Sequence, residues 1–198
     1  MPRLRQVSKD GAAPEVRAMY ERLFGGRDPV AEPGTATGTP GNWWTVFALS
    51  PDIFGHALAG FGVITSRARR LSPLLREVAL LRTGFASGSQ FVFSQHAKTG
   101  RAAGVSEEKI GAIPSWTTSD AFDAGERAVL AYTDEMVLGM GRVQDATFAK
   151  LKQHLDDDAI LELSYAIGTY TMHAMITRAL RLEFDDVAER VVEVPAPK

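Results

Sequence analysis

The segment Leu71 to Gly104 reads LSPLLREVALLRTGFASGSQFVFSQHAKTGRAAG, and its periodicity decides the fold. Ser72-Pro73 is a helix start, serine as N-cap and proline in the first turn. The small-residue break Ala86-Ser87-Gly88 separates two runs of helical period. At about 100° per residue, Glu77 falls between Leu74, Leu80, Leu81 and Gly84 on the first run. On the second, His96 shares a stripe with Ser89, Val92, Phe93, Gly100 and Ala103. A short connection makes consecutive helices antiparallel neighbours, so the two stripes are expected to face each other. The sequence therefore predicts a helical hairpin that brings a carboxylate and an imidazole into one largely dry space, a setting common to acid–base sites.

Outward from the hairpin the pattern stays helical. Pro14 to Phe24 is an amphipathic helix with proline at its start and Gly25-Gly26 as its stop. Residues 27–41, RDPVAEPGTATGTPG, form a loop of a length suited to a lid, a subunit-packing arm or a plain connection. No Gly-Lys-Ser/Thr ends it, so it is no phosphate loop. The aromatic turn around Trp43-Trp44 precedes a helix from Ile53 to Arg69. Beyond the hairpin, Ser106 caps a short helix ending at Ile113, and Ser115–Ser119 reads as a loop carrying Trp116. Helices are then expected over Asp120 to Gly139, Asp145 to His154, and from Asp156-Asp157-Asp158 through Leu180. Three aspartates at a helix start favour the positive end of the macrodipole and need no metal. With no sustained period-2 alternation, the fold class is all-α, a bundle of about eight helices around a central helical hairpin. The expected division is an arm, helix and loop over 1–41, a helical domain over 42–184, and a loosely held tail over 185–198.

Composition narrows the function. The chain has 198 residues, 45 % of them apolar and 23 % charged, and a net charge of −2, which is ordinary for a globular protein able to bury a sizeable core. It lacks a basic patch interleaved with aromatics, so no nucleic-acid partner is expected. It also lacks an N-terminal apolar signal and any run long enough to span a bilayer, so a cytoplasmic protein without a membrane partner is expected. There is no cysteine, which excludes disulfide scaffolds, thiol nucleophiles and iron–sulfur ligation by this chain alone.

A glutamate on an apolar stripe needs a partner, because burying it unpaired costs several kcal/mol or raises its pKa. Besides His96, Arg76, Arg82 and Arg101 are the candidates, with Arg82 on another face. Ser89 lies seven residues before His96, roughly 10 Å along the axis, too far for a direct Ser–His hydrogen bond. With no Gly-x-Ser-x-Gly elbow either, a hydrolase triad is not indicated. On the last helix Glu162, Thr169 and His173 share a rough face beside Tyr165 and Tyr170. This helix reads mainly as core, with Tyr170 and His173 within reach of a pocket or subunit contact.

The signature Leu71-Ser72-Pro73, Arg76 to Arg82, Phe91 to His96 and Ala103 to Ser106 resembles the carboxymuconolactone decarboxylase and alkylhydroperoxidase D superfamily, and Gly168 to Met172 resembles its longer members. The resemblance covers roughly residues 40–182. It implies an AhpD-like all-α fold, subunits associated into a trimer, hexamer or dimer, and sites near subunit contacts. In the peroxidase branch a Glu precedes Cys-x-x-Cys and then a His, and the matching positions here are Glu77, Ser89, Val92 and His96. Both cysteines are absent. In the decarboxylase branch the second helix reads Tyr-Glu-Trp before the His, where this chain has Phe91-Val92-Phe93.

The leading expectation is a carboxy-lyase-like or isomerase-like enzyme, independent of cofactor and metal, acting on a small organic acid, lactone or enolisable carbonyl compound. Glu77 and His96 exchange protons with the substrate, Ser89 or Gln95 orients it, and Val92, Phe93 and Trp44 form the apolar wall. The alternative is a catalytically degenerate oligomeric binding or scaffold protein of the same fold. A third reading is a peroxidase that draws on an external thiol.

Overall fold

A computed structural model describes residues 2–32 and 41–182. The expectations for residues 33–40 of the loop and for the 185–198 tail lie outside the described residues. Those residues contain nine α-helices, one 3-10 segment and no strand, as the all-α reading requires. The helices are α1 (Pro14–Phe24), α2 (Gly41–Phe47), α3 (Pro51–Thr65), α4 (Pro73–Ala86), α5 (Gln90–Ala102), α6 (Glu107–Ala112), α7 (Ala124–Val137), α8 (Asp145–Leu151) and α9 (Asp157–Leu180). None is long and apolar enough to cross a membrane.

Where element bounds differ from the sequence reading, local hydrogen bonds give the reason. Helix α3 ends at Thr65 rather than Arg69, because the Ser66 hydroxyl accepts the Ala68 N–H and turns the chain. Helix α7 begins at Ala124 rather than Asp120. Asp123 and Glu126 form a reciprocal capping box there, each side chain accepting the other's backbone N–H. The stretch read as a loop around Trp116 is a 3-10 segment, Ile113–Thr118. The Arg127 guanidinium ties it down by donating to the carbonyls of Trp116, Thr117 and Ser119.

The described chain divides into two compact units, residues 2–63 with 176–182, and residues 64–175. In the first, Tyr20 is fully buried and donates its hydroxyl to the Val7 carbonyl at 3.1 Å, while the Val7 N–H donates to Thr45 at 2.9 Å. The Trp43 ring stacks on Phe47 at 4.3 Å and reaches Phe54 and Phe61.

The second unit is built around α4. Its residues Val78, Ala79, Leu80 and Leu81 are all inaccessible to solvent and enter three different apolar clusters. Ala79 joins Val129, Tyr132, Leu163 and Ile167. Val78 and Leu81 join Phe93, Ile113 and Leu130, and Leu80 joins Ile64 and Ala166. A helix apolar on every side packs on every side, and α4 is flanked by α5 and α7. Arg82 fastens it to α7 through a two-pronged ion pair with Asp134, at 2.5 and 3.1 Å, and donates to the Ile113 carbonyl. Asp134 also accepts from the Trp116 indole.

Candidate active site

Helices α4 and α5 approach each other closely at Gly84. A Cβ there would lie 2.6 Å from the backbone nitrogen of Phe93, so only glycine permits this contact. The Ser89 hydroxyl accepts the Val92 N–H and starts α5 at the point that fixes its register. With the two helices locked face to face, Glu77 of α4 and His96 of α5 meet. His96 Nδ1 lies 2.7 Å from Glu77 Oε2.

Two further donors complete the carboxylate's partners. Thr99, one turn beyond His96, donates its hydroxyl to the same Oε2 at 2.6 Å. Arg76 Nε donates to Oε1 at 2.8 Å. Glu77 is only 2 % exposed and His96 5 %. Burial raises the carboxyl's pKa, but the His96 hydrogen bond and charge, then the Thr99 and Arg76 hydrogen bonds, outweigh it and bring the value from 4.5 down to about 2. Glu77 is therefore an anion throughout the physiological range. A permanent acceptor at Nδ1 fixes the proton there and leaves Nε2 as the atom through which His96 can exchange one. The Tyr170 ring meets the imidazole edge-on, centroids 4.4 Å apart. Burial first, and the Glu77 charge second, hold the Tyr170 hydroxyl well above its ordinary pKa, so it stays protonated.

Of the residues expected at the site, the structure brings Glu77 and His96 together. The Gln95 carbonyl lies 3.3 Å from Thr99 Oγ1. Ser89 spends its hydroxyl on capping, Val92 is buried, and Phe93 packs in the cluster of Val78 and Leu81. Trp44 belongs to the first unit, half-buried against Trp43 and Phe54. Among the arginines weighed as partners for Glu77, Arg76 is the one engaged, whereas Arg82 pairs with Asp134 and Arg101 with Glu107. Thr99 was missed, although its place three residues after His96 on one helix face signals it. Glu162, near the start of α9 and three turns before His173, pairs with Arg69 and accepts the Leu71 N–H. At the start of α9 Asp156 accepts the Ala159 N–H and pairs with Arg70, the cap and dipole role expected of the aspartate run.

This architecture has known counterparts. Residues 54–135 match the carboxymuconolactone decarboxylase family, a span that contains the whole α4–α5 hairpin. Uncharacterized protein YnjA of Escherichia coli K12 is 27 % identical over 143 residues, covering 72 % of this chain and 76 % of its own length. The crystal structure of a protein of unknown function from Agrobacterium tumefaciens, ATU0492, matches with a TM-score of 0.62 at 25 % identity, over 75 % of this chain and 97 % of that one. A peroxidase-related protein of Ralstonia eutropha with an alkylhydroperoxidase AhpD core matches with a TM-score of 0.76 over 93 % of both chains, and at 14 % identity it speaks for the fold alone. Over residues 54–135 the chain is similar to the carboxymuconolactone decarboxylase family, and its fold is AhpD-like, in a sequence that holds no cysteine.

Proposed function

We propose that the α4–α5 hairpin is an acid–base site in which His96 exchanges a proton with a small organic acid, lactone or enolisable carbonyl compound. The observation that carries this reading is the 2.7 Å contact between His96 Nδ1 and a glutamate held ionised. Glu77 orients the imidazole, sets its tautomer and stabilises the imidazolium once Nε2 has taken a proton. Because Glu77 stays anionic, it acts as a positioning residue, and the proton passes through His96 alone. Removing a proton next to a carbonyl and returning it elsewhere isomerises such a compound, and delivering a proton to the enolate left when a carboxylate departs as CO2 completes a decarboxylation, so His96 would serve either reaction. General catalysis of this kind is worth about 10²–10⁴ in rate. With no thiol in the chain, reduction of a peroxide would need an external one.

A second reading rests on the burial of both side chains, 2 % and 5 % exposed. A pair so enclosed also suits a catalytically degenerate protein in which Glu77, His96, Thr99 and Arg76 hold α4 to α5. One experiment separates the two. Wild type, His96→Ala and Glu77→Gln are incubated in D2O with a panel of small 2-oxo acids, lactones and ketones, and deuterium incorporation and CO2 release are followed by NMR. Turnover by wild type that falls at least 100-fold in His96→Ala, and 10-fold or more in Glu77→Gln, with both variants folded, supports the enzyme. No turnover by wild type across the panel, with both variants losing only thermal stability, supports the degenerate protein.

A further inference from the structure

Helices α7 and α8 pack against each other, yet a cleft of about 370 Å³ opens between them beside the 3-10 segment. The spacing of the two helices is set where large rings meet, Tyr132 of α7 and Phe148 of α8, with centroids 6.4 Å apart. Beside that contact the cleft is floored by alanines, Ala128 and Ala131 on α7 and Ala146 on α8, whose methyl groups are too short to close the gap. Trp116 forms one wall. Its ring is fixed by the indole N–H, donated to Asp134 at 3.0 Å, and by the Arg127 guanidinium, which lies 5.6 Å over the ring. A cleft of this size stands at the small end of those that hold organic ligands, about 300–1,000 Å³.

Two cations border this apolar floor. Arg127 donates to the carbonyls of Trp116, Thr117 and Ser119, so its charge meets backbone dipoles and no carboxylate among the described residues. Its Nε–H and one Nη2–H are left as donors. Lys150, exposed in the last turn of α8, has no ion-pair partner among the described residues. The neighbouring acids are committed elsewhere, Asp134 to Arg82 and Trp116, and Glu135 to Gln144 and to the Thr147 hydroxyl that lines the cleft. We infer that this cleft binds a small aromatic carboxylate. Its flat apolar body lies on the alanine floor against Trp116, and its carboxylate takes charge-assisted hydrogen bonds from Arg127 and Lys150. The aromatic class follows from the planar partners, since both an indole and a guanidinium stack on a ring. None of the lining residues belongs to α4 or α5, so the inference stands whatever the role of Glu77 and His96.

Naphthoate and its neutral amide, which share a shape and differ in charge, supply the test. NMR follows the Trp116 indole N–H and the methyl groups of Ala128, Ala131 and Ala146 as each compound is titrated into wild type. Naphthoate is expected to shift these signals to saturation, and the amide to bind at least about tenfold more weakly. Lys150→Gln, a surface change that removes one charge, is expected to weaken naphthoate about tenfold. Ala146→Leu, at an exposed helix position, fills the cleft and is expected to abolish the shifts with helical circular dichroism unchanged. Should Ala146→Leu fold poorly, Lys150→Gln and the amide decide alone. Wild-type signals that stay still up to about 10 mM naphthoate overturn the inference. So do an amide that binds as tightly as the acid, shifts that persist unweakened in the variants, and shifts that centre instead on Glu77 and His96.

Discussion

Glu77 is buried between two helices and ionised, so its charge contributes to stability in a pH-dependent way. Its carboxyl titrates near 2 in the folded chain and near 4.5 when exposed. Between those values the unfolded chain binds more protons, so stability is fully present above about 4.5 and is lost as pH falls toward 2. The difference amounts to about 3 kcal/mol. Urea midpoints measured from pH 6 down to pH 2 should fall more steeply for wild type than for Glu77→Gln, which lacks this titration. Thr99→Val removes a donor to the charged form. It is expected to move the Glu77 titration upward by about one pH unit while leaving the protein folded at neutral pH. An acid limb identical in all three proteins would mean that the carboxylate is not held as described.

At the scale of elements, the site exists because α4 and α5 touch through glycine and α4 is anchored on its other side. Gly84→Ala places a methyl group against the Phe93 backbone, which cannot yield as a side-chain tip can. A loss of about 2–3 kcal/mol in chemical denaturation is expected, together with disturbed His96 ring resonances, because the helix carrying His96 is displaced. Asp134→Ala leaves the largely buried Arg82 without its carboxylate and the Trp116 indole without its acceptor. The expected cost is about 3–5 kcal/mol, as for other broken buried pairs. Asp134→Asn keeps an acceptor for the indole and should cost less. Equal melting temperatures for wild type and Asp134→Ala would remove Arg82 from the list of groups that fix α4.

At the scale of the whole molecule, α9 carries apolar residues on both sides. One side serves the core of the second unit, and the other faces outward along Leu161, Tyr165, Gly168, Met172 and Met175.

Local chemistry in the sequence determined most of the helix plan. Pro14 and Ser72-Pro73 started helices where their side chains dictate, Ser106 capped α6, and Gly104 with φ of +93° ended α5. The hairpin, and with it the meeting of Glu77 and His96, followed from stripe periodicity and the three-residue break. Even the capping box that moves the start of α7 to Ala124 was written in the sequence as Asp123-x-x-Glu126, and the aspartate before it drew attention away. Other features belong to the tertiary structure. Choosing Arg76 over Arg82 and Arg101 as the Glu77 partner required knowing what else each guanidinium could reach, and Asp134 and Glu107 come from distant or separate elements. That Ser89 works as a cap depended on where α5 begins. The exposure of one face of α9 is likewise invisible in a helix whose apolar residues lie on both sides, because periodicity marks a buried face only when the opposite face is polar. The sequence determined which residues share a helix face; only the packed structure decided which of those faces are covered.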